Sequence, residues 1–103
     1  MKVRILYIGR NKEILQTILR LLNKDERWKA EGASDDEEAI ELFHRHKFDI
    51  ILLGPGLEKE SENKLRALFK FHNPDIIIIQ HYGGGSGLLN NELLRAISSF
   101  GKN

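Results

Sequence analysis

Arg10, Asn11, Gln80, His81 and the glycines Gly83, Gly84 and Gly85 each close or follow an apolar run, where an α/β chain gathers its polar groups. As a set they could bind an anion. Glycine amides and a helix N-terminus donate to anionic oxygens, and the Arg10 guanidinium would add a charge-assisted bond. No Walker-type lysine follows the glycines and no G-x-G-x-x-G follows the first apolar run, so the same glycines also read as a flexible connection without a ligand. Other candidates are weaker. Glu58, in a loop, is placed to pair with Arg10 rather than to ligate a metal. Asp35 and Asp36 lie at the carboxyl edge too, but beside an outer strand at the start of a helix, where the dipole accounts for carboxylates. His44 and His46 stand two apart on a helix and share no face, so no metal site is expected. His72 covers the end of another helix, and His81 has no orienting carboxylate or nucleophile beside it to make it a general acid or base. The expectation is a protein with no cofactor and no enzymatic activity.

The elements that would position these residues follow from hydrophobic periodicity. Val3 to Ile8 reads as a strand, Asn11 as an N-cap, and Ile14, Leu15, Ile18, Leu19 and Leu22 as the apolar face of a helix ending near Asn23. Trp28 to Gly32 alternates apolar or small residues with charged ones, as an edge strand does. Trp28 itself is expected to pack there. Ser34 and Glu37 have the spacing of a capping box for a second helix that turns Ala39, Ile40 and Phe43 inward. Asp49 to Leu53 and Asp75 to Gln80 are continuous apolar runs, expected to be buried on both faces in the middle of a parallel sheet. Between them a third helix carries Leu65, Leu68 and Phe69, and Pro74 stops it. Asp49, at the start of its strand, lies about 16 Å from the carboxyl edge at about 3.3 Å per residue. Asp75 is equally remote. A last helix runs from Asn90 or Asn91 to about Phe100.

At 103 residues, one domain spanning 1–103 is expected, burying on the order of 65% of its unfolded surface. A net charge of +1 supplies no field to attract nucleic acid or anionic lipid. Cysteine is absent, and the longest apolar runs fall short of the roughly 20 residues a membrane helix needs. With no signal segment legible ahead of the first strand, a cytoplasmic protein is expected.

The order of these segments carries a resemblance. Ile5 to Ile8, then Glu31-Gly32-Ala33-Ser34-Asp35-Asp36-Glu37-Glu38-Ala39-Ile40-Glu41-Leu42, then Phe48 to Leu53 resemble the receiver domain of two-component response regulators, and Asn91 to Ile97 resembles that family's final helix. The resemblance implies a flavodoxin-like three-layer α/β sandwich with parallel strands in the order 2-1-3-4. The interval from Gln80 to Asn91 is too short for the family's fourth helix and fifth strand together, so the helix is expected to be missing and the strand short or absent. It also implies a magnesium-dependent phosphorylation site, whose positions here are degenerate: Gly9 and Arg10 in place of the acidic pair, Gly54 in place of the acceptor aspartate, and Gln80 in place of the hydroxyl residue.

Magnesium needs anionic oxygens, and a cation at Arg10 would repel it. The resulting expectation is a phosphorylation-independent pseudo-receiver that acts through a protein partner or as a homodimer. Leu88, Leu89, Leu94 and Phe100 would form the interface. The alternative is a small-ligand sensor binding an anion or nucleotide at the Arg10 edge.

Overall fold

The computed structural model describes residues 2–80. Strands β1 (Val3–Ile8), β2 (Trp28–Ala33), β3 (Ile50–Leu53) and β4 (Ile77–Gln80) alternate with helices α1 (Lys12–Asn23), α2 (Asp36–Arg45) and α3 (Lys59–His72). All strand pairs are parallel and the sheet runs β2-β1-β3-β4, as expected for the first four strands of a flavodoxin-like sandwich. The register places Tyr7 opposite Gly32 and Leu52, and Ile8 opposite Ala33 and Leu53.

Because strand side chains alternate between faces, β1 and β3 feed two cores. Ile5, Tyr7, Ile50 and Leu52 meet Leu15, Ile18 and Leu22 of α1 on one face. Leu6, Ile8, Ile51 and Leu53 meet Ala39 and Phe43 of α2 and Leu65 and Phe69 of α3 on the other. Every residue of β3 is fully buried, which is why its sequence shows no polar alternation. Trp28 is also buried, on the edge strand, with the Arg27 guanidinium 5.3 Å from its ring centre.

Four local expectations are corrected. The α2 cap is Asp35, whose carboxylate accepts from the Glu38 amide at 2.8 Å, while Glu38 reaches back to the Ser34 amide at 3.0 Å; Ser34 and Glu37 do not form the box. β2 runs on to Ala33, so the extended residue before the helix is Asp35, and a carboxylate there makes the stronger, charge-assisted cap. Ile14 is 44% exposed, because it lies about 100° round the helix from Leu15, at the margin of the buried stripe. β4 begins at Ile77 rather than Asp75, since the Ile76 amide closes a turn onto the Asn73 carbonyl at 3.0 Å. It is the outermost described strand and its residues are half-buried rather than central. The expected last helix, the absent fourth helix and the short fifth strand fall outside the described residues.

Phe69 is fully buried and packs 4.6 Å from the Phe43 ring, whereas Phe71 is 81% exposed two residues on. Phe69→Ala should cost about 3–5 kcal/mol in urea denaturation at unchanged slope. Phe71→Ala should cost less than about 0.5 kcal/mol.

Candidate functional site

The site lies at the carboxyl edge of the sheet, where β1 and β3 end in glycine. Gly9 donates to Ala33 O at 3.0 Å and Gly54 donates to Ile8 O at 2.7 Å, so the ladder continues one residue past each strand and sets the two glycines on adjoining chain ends. Tyr7 precedes Gly9 by two and therefore shares its face. Its ring lies across both positions. A Cβ at Gly54 would stand 2.3 Å from the Tyr7 hydroxyl oxygen and 2.7 Å from Cζ, and a Cβ at Gly9 would stand 2.8 Å from Cε2. The phenol thus occupies the volume that side chains at 9 and 54 would need. Tyr7 is 1% exposed, and burial raises its pKa above the ordinary phenol value, holding it neutral.

The next turn is made by Pro55 and Gly56. Gly56 has φ of 90°, which side chains rarely adopt. This turn carries Glu58 toward Arg10, as the loop position suggested. Arg10 donates from Nη2 to Asp36 Oδ1 at 2.8 Å, from Nη1 to Ser34 O at 3.1 Å and from Nε to Glu58 Oε1 at 3.2 Å. One guanidinium therefore links the loops after β1, β2 and β3. Burial tends to lower the Arg10 pKa, but Asp36 and Glu58 outweigh it and the net direction is upward. Burial likewise pushes the Asp36 carboxyl up, while Arg10, Ser61 and Lys64 outweigh that and leave it below the ordinary aspartate value.

Asn11 caps α1, accepting from the Ile14 amide at 3.0 Å. Gln80 closes the edge on the β4 side, its Nε2 3.4 Å from Leu53 O. Thus Gly9, Arg10, Gly54 and Gln80, the positions assigned by resemblance, do come together. His81, Gly83, Gly84, Leu88, Leu89, Leu94 and Phe100 lie outside the described residues. Asp49 is at the opposite edge, accepting from the Arg4 amide at 2.9 Å. His44 and His72 meet edge to face at 4.9 Å on the surface of α2 and α3. His46 faces Glu31 at 3.7 Å instead of joining them. A cleft of about 410 Å³ between the ends of α2 and α3 belongs to that far edge as well, bordered by Lys47, Phe48 and His72. Among the described residues no three His, Cys, Asp or Glu side chains cluster as a metal site, and none of their helices is long and apolar enough to cross a membrane.

Two participants are not singled out by the sequence. Asp36 falls at the same edge as Arg10, but the helix dipole is a sufficient reason for it there, and its bond to Arg10 emerges only in the fold. Tyr7 reads as an ordinary strand residue, although a bulky side chain two before a glycine, with a second glycine ending a neighbouring strand, is a readable signal.

The sequence matches no protein-family profile and no curated protein. Its fold matches solved structures. Residues covering 91% of the chain superpose on 74% of a signal receiver domain of an HD domain-containing protein from Pseudomonas fluorescens, with TM-score 0.70 and 20% identity. The chain has the receiver-domain fold. A response regulator receiver domain protein from Clostridium thermocellum is similar at TM-score 0.68 and 24% identity, with 93% of this chain and 75% of that one covered. A third neighbour is the co-crystal structure of the Saccharomyces cerevisiae histidine phosphotransfer signalling protein Ypd1 with the receiver domain of its response regulator Ssk1, at TM-score 0.57 and 21% identity over 92% and 73% of the two chains.

Two outcomes follow from this receiver-fold edge. Gly54→Ala should destabilise the domain by about 1–3 kcal/mol through overpacking, and the penalty should shrink when Tyr7→Ala is present, read as a double-mutant cycle in urea. The Asp36 carboxyl is more acidic folded than unfolded. Its contribution is therefore full above the unfolded value of about 3.9 and is lost as pH falls through the lower folded value. Asp36→Asn should flatten part of the acid limb of a stability–pH profile. Another part belongs to Asp25, whose carboxyl the hydrogen-bonding Arg27 side chain holds at about 2.

Proposed function

We propose that this domain is a phosphorylation-independent pseudo-receiver, a signalling module that works by protein contact rather than by phosphoryl transfer or catalysis. The observation that carries this reading is Tyr7, whose phenol fills the space beside Gly54. Phosphoryl transfer to a receiver needs an acceptor carboxylate and a divalent ion to offset charge on the incoming group. Position 54 has no acceptor, and the carboxylates described near it, Asp36 and Glu58, are bound to Arg10. The hydrophobic scaffold is intact around this altered edge, which favours a role for the surface over a role for the site.

The partner on this reading is another signalling protein or a second copy of the chain, in the cytoplasm, and not nucleic acid or membrane. The neighbouring Ypd1–Ssk1 structure supports it, since there a receiver domain is co-crystallised with a signalling protein. A sensor of anions or nucleotides would need Arg10 released from Asp36 and Glu58, so no observation favours that alternative.

Incubation with acetyl phosphate and magnesium, followed by intact-mass spectrometry, should leave the chain unmodified. An acyl phosphate on any carboxyl group would overturn the proposal. Thermal denaturation of the same samples with inorganic phosphate or nucleotides should show no stabilisation; a concentration-dependent rise in Tm would favour the ligand sensor instead.

A further inference from the structure

The oxygens around Arg10 have the composition of a cation site. Asp36 Oδ1, Glu58 Oε1 and Ser34 O converge on one group, and two carboxylates with a backbone carbonyl are hard donors of the kind that hold calcium or manganese. They come from the start of α2, the residue before α3 and the loop after β2. The group they surround is a side chain of the protein. It is only 26% exposed, whereas Glu58 on its outer side is 65% exposed.

We propose that the Arg10 guanidinium is a built-in cation. From the loop after β1 it fills a site lined by oxygens of the loops after β2 and β3, so that removing it turns a domain indifferent to divalent ions into one that they stabilise. A guanidinium stays charged at every pH a protein experiences and presents a rigid fork of donors. It therefore joins the loops permanently, where a bound ion would join them only at sufficient concentration. The consequence is a carboxyl edge with one loop arrangement, fixed by the chain and closed to exchange with the solution. Calcium takes its oxygens at about 2.3–2.6 Å, so these donors would have to close in on a smaller ion. Glu58 is exposed enough to move, and water can complete the shell.

The test compares the full chain, Arg10→Ala, and Arg10→Ala with Asp36→Asn, melted in chelator and in millimolar calcium or manganese chloride. The wild-type Tm should be the same in all three solutions. Arg10→Ala should melt about 4–8 °C lower in chelator and regain at least half of that loss with one of the ions. The double variant should regain nothing. Wild-type stability of Arg10→Ala in chelator, or no response of that variant to either ion, would overturn the inference.

Should Arg10→Ala not fold, Arg10→Lys keeps the charge and loses the fork. Amide exchange around Ser34, Asp36 and Glu58 should then quicken while β1 and β3 remain protected, and unchanged exchange at those loops would be equally fatal. None of this depends on the contact-signalling reading, and a phosphorylated wild-type chain would leave the ion result as it stands.

Discussion

The space between the carboxyl ends of β1 and β3 admits one large side chain, and Tyr7 fills it from the β1 side. Close packing makes that assignment exclusive. Protein interiors have no slack for a second group, and a Cβ on either glycine would already stand inside the contact distance of the ring. Gly9 and Gly54 are thus the counterparts of the tyrosine, three residues on two strands forming one packing unit. The ring also reaches down into the α1 core with Leu52 and Leu15, which ties the state of this edge to the stability of the sheet.

Above that packed layer, the polar groups are organised by charge. Arg10 gathers Asp36, Glu58 and Ser34 O, bridging loops that are far apart in sequence. Exposed ion pairs contribute little, but this set is partly withdrawn from water and its donors are geometrically constrained by a planar fork. The combination leaves an apolar plug below and an ion-paired lid above. Both are built from the chain's own side chains, and together they make the edge self-contained. In this receiver-type fold the carboxyl edge is thus filled by a ring and a guanidinium of the chain itself.

Most of the scaffold was legible from local pattern. The bounds of β1 and α1, the Asn11 cap, the edge character of β2 and the doubly buried β3 all follow from periods of two and 3.6 residues with the right punctuation. The departures are also local in origin. Asp35 displaces Ser34 as the α2 cap because β2 continues to Ala33, and Ile76 is drawn into a turn by Asn73, which delays β4. Arg10 and Glu58 are readable as partners because both fall in loops at the same edge. Asp36 falls at that edge as well, but beside an outer strand and with a first-turn dipole that explains it, so its pairing with Arg10 is not.

The sequence by itself determined the alternation of strands and helices, the two apolar cores and the lack of a carboxylate at positions 9, 10 and 54, since each depends on residue type and short-range spacing. Only the tertiary structure decided what fills the room beside them. Tyr7 reaches Gly54 across a pairing of strands separated by more than forty residues, and Arg10 meets Asp36 and Glu58 only after parallel crossovers bring three loops to one edge. Steric exclusion and charge pairing act through space, so they take effect only where the fold has set distant residues within a few ångströms of one another.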